Sequence, residues 1–474
     1  MQQLSIKEPK ANYFFLPLAI IVAIITGWLT VKVGLALPLV LVGLVVAIAF
    51  ATTVFVRPKI GFMAYIVYCF IITVILRNAT SPPPIGPLMD GLLLLSCVAV
   101  AFNRYKYQWS NLRNDHFLLA FVWFLINLIE VVNPAGASII GWLQEMRFTS
   151  LNWLLIALLS SVLFTQKKDL DLFLKIVLGL SIIATFYGMK QLYIGLTTGE
   201  QRWLDAGADL THIVFGKLRV FSMFTDAGQF GASQAHLGLV ALILALGPFK
   251  WWKKVILGLV AGILLYGMLI SGTRGALFAL VVGVFVALFL SKQTKTLIVG
   301  CVLALSALYV LKYTTIGNSY SYHIVRLRTA LDPEDISLNV RFNNQQKLKK
   351  YLADLPFGGG VGVSGMNGNL YNADKFLSKI PPDSYWVKVW VMYGVVGLVI
   401  WFGIIMYILG KCSGIVWNIK DPKLRVKLIA LTAGTAGVFV CSYGNEVING
   451  IPTAMIVYIS WAFVFLGPKL DSES

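Results

Sequence analysis

Three arginines of this chain stand in separate segments from which they could meet one anion. Arg274 lies in "LLYGMLISGTRGALFAL" (264–280), between two apolar runs and beside Ser271, Gly272, Thr273 and Gly275. At such a depth a guanidinium must be paired, line a wet cavity, or reach to headgroups. Arg341 lies in "SLNVRFNNQQKLKKYLADLPFGGGVGVSG" (337–365), which predicts a helix from about Leu338 to Asp354, stopped by Pro356. Helical spacing puts Arg341 within about 40° of Leu348, Leu352 and Leu355 and sends Lys350 to the other side. Arg341 then either snorkels at the edge of a surface helix or turns inward to meet an anion. Arg219 and Asp226, in "KLRVFSMFTDAGQFGASQAH" (217–236), precede another apolar run, with Gln229 just inside it. Asp226 suits a helix cap, and Arg219 suits a partner for it or for an anion. Glu145 and Arg147, in "GWLQEMRFTS" (141–150), are expected at an outer helix end and are further candidates, although their i, i+2 spacing does not favour a helical pair.

The carboxylate in question is Asp383, in "IPPDSYWVKVWVMYGVVGLVIW" (380–401), ahead of Ser384 and a long apolar helix. It suits a helix cap or a proton acceptor. As a cap its charged form would be favoured and its basicity reduced. Arginine's planar, permanently charged fork suits bidentate phosphate binding. Placement of the arginines therefore points to a membrane-embedded phosphate or diphosphate. The glycines of "GGGVGVSG" could cradle a phosphate with N–H groups, or serve as a hinge or a tight descent to the membrane. Other chemistries lack their residues. No Walker motif, GxSxG or HExxH occurs, and the one DxD, Asp169-Leu170-Asp171, reads as a helix start. "DPED" (332–335) reads as a turn, the four histidines form no metal cluster, and the five cysteines include no CxxC. Neither a metal nor another cofactor is expected.

The elements that must position these residues are membrane helices. Hydrophobic residues make up 58% of the 474, charged residues only 13%, and the mean hydropathy is +0.78. Soluble domains carry roughly 25% charged residues. With about 20 apolar residues per span, the chain predicts an all-α polytopic membrane protein of about fourteen helices. Their centres fall near residues 22, 45, 68, 95, 124, 155, 182, 238, 262, 283, 303, 398, 434 and 457. The first run, about Tyr13 to Val31, is expected to be an uncleaved span. The net charge of +18 resides in short loops such as RPK (57–59), QKKD (166–169), KWWKK (250–254) and KDPKLRVK (420–427). That is a topology signal with both termini cytoplasmic, and no nucleic-acid partner is expected. The two long segments, about 195–225 and about 312–385, then lie outside. The whole of 1–474 is expected to be one integral membrane domain, with 312–385 a large helical periplasmic loop within it.

Four stretches together resemble the O-antigen ligase and polysaccharide polymerase family of bacterial inner-membrane glycosyltransferases. "RVFSMFTDAGQFGA" (219–232) is similar to the family's arginine segment ahead of a membrane helix, and "SGTRGAL" (271–277) to its arginine turn. "VRFNNQQKLKKYLADLPFGGGVG" (340–362) resembles its outer-loop arginine helix running into Pro-x-Gly-x-Gly. "DSYWVKVWVMYGVVG" (383–397) resembles its closing signature of His, then Asn, Ser or Gln, nine residues, and Gly-x-x-Gly. Ser384, Gly394 and Gly397 fit, and Asp383 stands in the histidine's place. The resemblance implies a periplasmic, metal-independent, inverting transfer from an undecaprenyl-diphosphate-linked glycan to a glycan or lipid acceptor. It also implies that Arg274, Arg341 and Arg219 bind the diphosphate and that Asp383 takes the base's position. His323 is an outside candidate to compensate. Because ligases to lipid A–core rely on the histidine, the expectation is a polymerase, with a ligase as the alternative. A lipid-linked-oligosaccharide flippase is the reading from another class; the clustering of charge at the outer mouth argues for the enzyme.

Overall fold

The computed structural model describes residues 36–80, 85–292 and 336–472 as continuous stretches, with scattered residues in 27–34 and 298–328. Lipid offers no hydrogen bonds, so each apolar run closes its own backbone ladder as a helix. In chain order these helices are α1 (Ala36–Val56), α2 (Pro58–Asn78), α3 (Gly86–Phe102), α4 (Asp115–Ile129) and α5 (Ile139–Met146). They continue with α6 (Asn152–Leu163), α7 (Lys167–Tyr193), α8 (Ala227–Ala245), α9 (Trp251–Ile270) and α10 (Arg274–Leu290). The last are α11 (Ile336–Tyr351), α12 (Gly365–Tyr371), α13 (Tyr385–Asn418), α14 (Pro422–Cys441) and α15 (Thr453–Phe465). Among the described residues nine helices are long and apolar enough to cross a membrane, and α3, α10 and α15 are shorter apolar helices. The expected spans near 22 and 303 lie outside the described residues, as do His323 and the "DPED" turn.

One expectation about a helix end is corrected. Glu145 and Arg147 were expected at an outer helix end, but α5 and α6 join through a π-helical turn, Arg147–Leu151, into one span, Ile139–Leu163. Both residues lie inside it, and Glu145 is buried. The π turn adds a residue to the ladder and redirects the side chains there.

Helices α8, α14 and α15 form the centre, where nearly every side chain is buried, whereas α1 is exposed along most of its length. Small residues let the central helices approach closely, as membrane packing requires. A methyl group on Gly283 of α10 would stand 3.0 Å from the Ala433 carbonyl oxygen of α14. The 195–225 region folds over one end of this core as short helices and a two-stranded antiparallel hairpin, Ile213–Val214 with Lys217–Leu218.

Helix α13 is broken at Gly394, whose φ of 66° and ψ of −169° suit only glycine. The break frees carbonyls one turn earlier, and the glycine-rich stretch uses them. Gly359 N–H donates to Val391 O at 2.8 Å and Gly360 N–H to Met392 O at 3.0 Å, while Val396 N–H donates to Pro356 O at 3.2 Å. Two of the N–H groups that might have cradled a phosphate are therefore spent on α13. The stretch "GGGVGVSG" acts as the tight descent into the helical core.

Candidate functional site

The termini of four helices meet at one end of the molecule. Helices α8, α10 and α13 begin there, and α14 ends there, leading into the loop 441–452. Three helix N-termini present positive dipole ends to this face, a field that favours anions.

Asp226 caps α8, its Oδ1 accepting from Gln229 N–H at 2.9 Å. The Gln229 side chain is buried and donates to the Glu446 carbonyl at 2.5 Å, tying α8 to the loop 441–452. Arg219 leaves the small hairpin beside α10. Its Nη1 donates to Thr211 O at 2.8 Å and its Nη2 to Thr273 Oγ1 at 3.4 Å. Thr273 directly precedes Arg274, the first residue of α10, which is half-buried. Arg326, which the sequence reading did not single out, joins this corner, its Nε donating to Gly272 O at 2.8 Å.

Arg341 stands in α11 with the orientation its spacing predicts: Leu348 and Leu352 are buried, Lys350 is exposed, and Arg341 is half-buried. A methyl group on Gly444 would lie 3.9 Å from Arg341 Nη1 and 4.0 Å from the Gly275 Cα, so the guanidinium and the start of α10 share one small patch of the loop. Asn445 completes the floor. A Cβ on Gly228 or on Gly275 would meet its side chain at 3.1 Å or 3.5 Å. Arg219, Arg274, Arg326 and Arg341, from four separate segments, thus converge around residues 272–275 and 444–445.

Asp383 lies at the same face, and of its two possible roles, cap or proton acceptor, it does not take the cap. The cap of α13 is Ser384, whose hydroxyl accepts from Val387 N–H at 3.4 Å and donates to Ser442 O at 3.4 Å. Asp383 instead adopts a left-handed conformation, φ +53°, which costs a non-glycine residue on the order of 1–3 kcal/mol, with aspartate among the more tolerant. Freed from capping, the carboxyl is not made more acidic. Burial raises its pKa above the usual aspartate value, while the positive charge of Arg341 pulls it partly back. It therefore holds a proton more readily than a capping aspartate would.

Arg147 points elsewhere: its Nε donates to Asp90 Oδ2 at 2.7 Å and its Nη1 to Gln144 Oε1 at 2.6 Å. Glu145, two residues earlier, turns to a buried cluster that the sequence reading missed. Lys388 Nζ lies 3.0 Å from Glu145 Oε1 and 2.8 Å from Glu446 Oε2, and Asn367 Nδ2 donates to Glu145 Oε2 at 2.8 Å. The cluster joins α5, α12, α13 and the loop 441–452 one turn below Asp383. The available signal was a lysine inside an apolar run, Lys388, opposite a polar interruption, "SYGNEVINGIP", between two apolar helices. Arg77, also unremarked in the sequence, holds the 219–226 segment by donating to Ser222 O at 3.1 Å and Phe224 O at 2.7 Å. His212 supports the same segment as a neutral ring. Its Nε2 accepts from Ala227 N–H at 3.2 Å, and burial lowers its pKa. No group of three or more His, Cys, Asp or Glu suited to a metal occurs among the described residues.

These positions fall largely within one recognised domain: residues 257–402 match the family model described as O-antigen ligase. This match identifies an O-antigen ligase domain at residues 257–402 and supports the O-antigen ligase and polysaccharide polymerase family. The matched stretch contains Arg274, Arg326, Arg341, Asp383, Ser384 and the Gly394 break; Arg219, Asp226 and Gln229 lie ahead of it, and Asn445 and Glu446 beyond it. The chain has no significant sequence match among curated proteins. Its apolar helices and this domain support a multi-pass protein of the bacterial inner membrane with a glycosyltransferase-type role in O-antigen or polysaccharide handling.

Proposed function

We propose that this face transfers a glycan from undecaprenyl diphosphate to the hydroxyl of a second lipid-linked glycan, and so polymerises a polysaccharide repeat at the periplasmic side of the membrane. The observation that carries this reading is the convergence of four arginines and three helix N-termini beside one half-buried carboxylate. The donor's diphosphate would lie against Arg274 and Arg341, with Arg219 and Arg326 at its flank. Asp383 would accept the proton of the acceptor hydroxyl as that oxygen bonds to the anomeric carbon. The bond from that carbon to the phosphate oxygen breaks with its electron pair on the side opposite the attack, so the configuration inverts and undecaprenyl diphosphate leaves. Its growing negative charge is met by fixed guanidinium groups and helix N-termini that need no reorganisation. On this reading the arginines supply the stabilisation that a divalent metal supplies in other lipid-linked glycosyltransferases.

A ligase reading, with lipid A–core or protein as acceptor, draws support from the description of the matched family model. The carboxylate at the position where the ligase signature carries histidine favours the polymerase. Reconstitution in liposomes with an undecaprenyl-diphosphate-linked glycan separates the readings. A ladder of lengthening products supports polymerisation, and a single transfer to an added lipid A–core or protein acceptor supports the ligase. Translocation without any new glycosidic bond would overturn both in favour of a flippase.

A further inference from the structure

The opposite ends of the helices that build the site enclose a second feature. Helices α8 and α10 run from the site to Leu246 and Ser291, and α14 begins at Pro422 and runs back toward it. At about 1.5 Å per residue, 19 residues of α8 place these ends about 28 Å from the site. Between them lies a groove of about 550 Å³, walled by apolar side chains such as Leu242, Val284 and Ile429. Among the described residues the charged side chains lining it are Lys254 and Arg425. Lys254 has no carboxylate partner among the described residues. Arg425 is aimed by one bond, from Nη2 to Leu290 O at 3.0 Å, while its Nε is a buried donor with no acceptor among the described residues. Arg425 thus lacks an anionic oxygen at the mouth of an apolar slot. A larger cavity of about 730 Å³ at the same face, lined by Lys411 and Asp471, has no such need, because its lysine already faces Asp115 at 3.4 Å.

We propose that this groove binds one anionic phospholipid, with an acyl chain along the apolar wall and the phosphate between Lys254 and Arg425. The occupant is set by charge and shape together. Two cations without a lining carboxylate select net negative charge, and a slot between spanning helices selects a chain. The proposal does not rest on the transfer reaction at the far face, and its test does not use activity.

The full-length protein, purified in detergent, is offered phosphatidylglycerol and phosphatidylcholine of matched chains, and retained lipid is counted by native mass spectrometry. Wild type is expected to retain phosphatidylglycerol preferentially. Lys254→Gln and Arg425→Gln should each cut the preference about fivefold, the worth of one cation near an anionic headgroup. Arg425→Lys, which keeps the charge, should retain most of it, and Lys253→Gln, on an exposed residue outside the groove, all of it. Equal retention of the two lipids by wild type, or an unchanged preference in Lys254→Gln, would overturn the proposal. If Arg425→Gln fails to fold, Lys254→Gln at its half-exposed position still decides.

Discussion

Lys388→Met tests whether the buried cluster holds the site together. Lys388 is 5% exposed and stands between Glu145, 3% exposed, and Glu446. Methionine conserves the stem but leaves two carboxylates facing each other with no cation between them. Removing one member of a buried ion cluster costs about 3–5 kcal/mol, mostly the desolvation of the charge left behind. For a chain of this size that corresponds to a fall in Tm of roughly 3–5 °C, read from tryptophan fluorescence in detergent. Neutralising the more buried carboxylate should relieve the strain. In the Glu145→Gln background, Lys388→Met should cost less by about 1–3 kcal/mol, a coupling that only contacting residues show. Because Glu446 belongs to the loop that also carries Gly444 and Asn445, glycan transfer should fall in the single variant and recover in part in the double. A Tm within 1 °C of wild type, or strictly additive costs, would refute the argument that this cluster bears charge in a dry interior.

Other outcomes follow from the same geometry. Arg341→Ala and Arg274→Ala should each lower transfer by about 10²–10³-fold, the usual loss of one fixed charge-stabilising donor, without changing the amount of folded protein in membranes. Measured transfer near wild type in both would remove the diphosphate assignment. Asp383→Asn should lower the rate by about 10²–10⁴-fold. The active form of a base is the deprotonated one, so the rate should climb with pH through a pKa that burial has raised above the ordinary aspartate value. Asp383→His should move that acidic limb upward toward the imidazole range, about 6.5, and an unmoved limb would assign the titration to another group. Gly394→Ala should destabilise strongly, by about 1–3 kcal/mol for the backbone alone, since φ is 66° and the Pro356–Gly360 backbone packs against it. A wild-type Tm would contradict that.

Much of this architecture is legible in one dimension. Hydropathy locates the helices because a span must be long and apolar to satisfy its own backbone in lipid, and the described helices centre where those runs lie. The apolar face of α11, with Arg341 beside Leu348 and Leu352, follows from helical period alone. The roles of Asp383 and Ser384 were less legible. Both residues suit an N-cap, and one residue of register decides which hydroxyl or carboxylate meets the free N–H groups. The interruption of the span 139–163 was hidden too, because a π turn keeps the hydropathy of the helix around it.

By itself the sequence determined that Arg274 and Asp383 stand where apolar helices begin, because that depends on composition and spacing along one chain. Only the tertiary structure decided which polar groups meet. Lys388 meets Glu446 58 residues on, and Asn367 meets Glu145 222 residues back. Arg147 is engaged by Asp90 and turned away from the site, while Arg326 is drawn into it at Gly272. Such pairings depend on how the helices cross and on distances of a few ångströms, which local periodicity does not encode. The same holds for Asp383, whose basicity is set by the burial and the guanidinium that packing places around it.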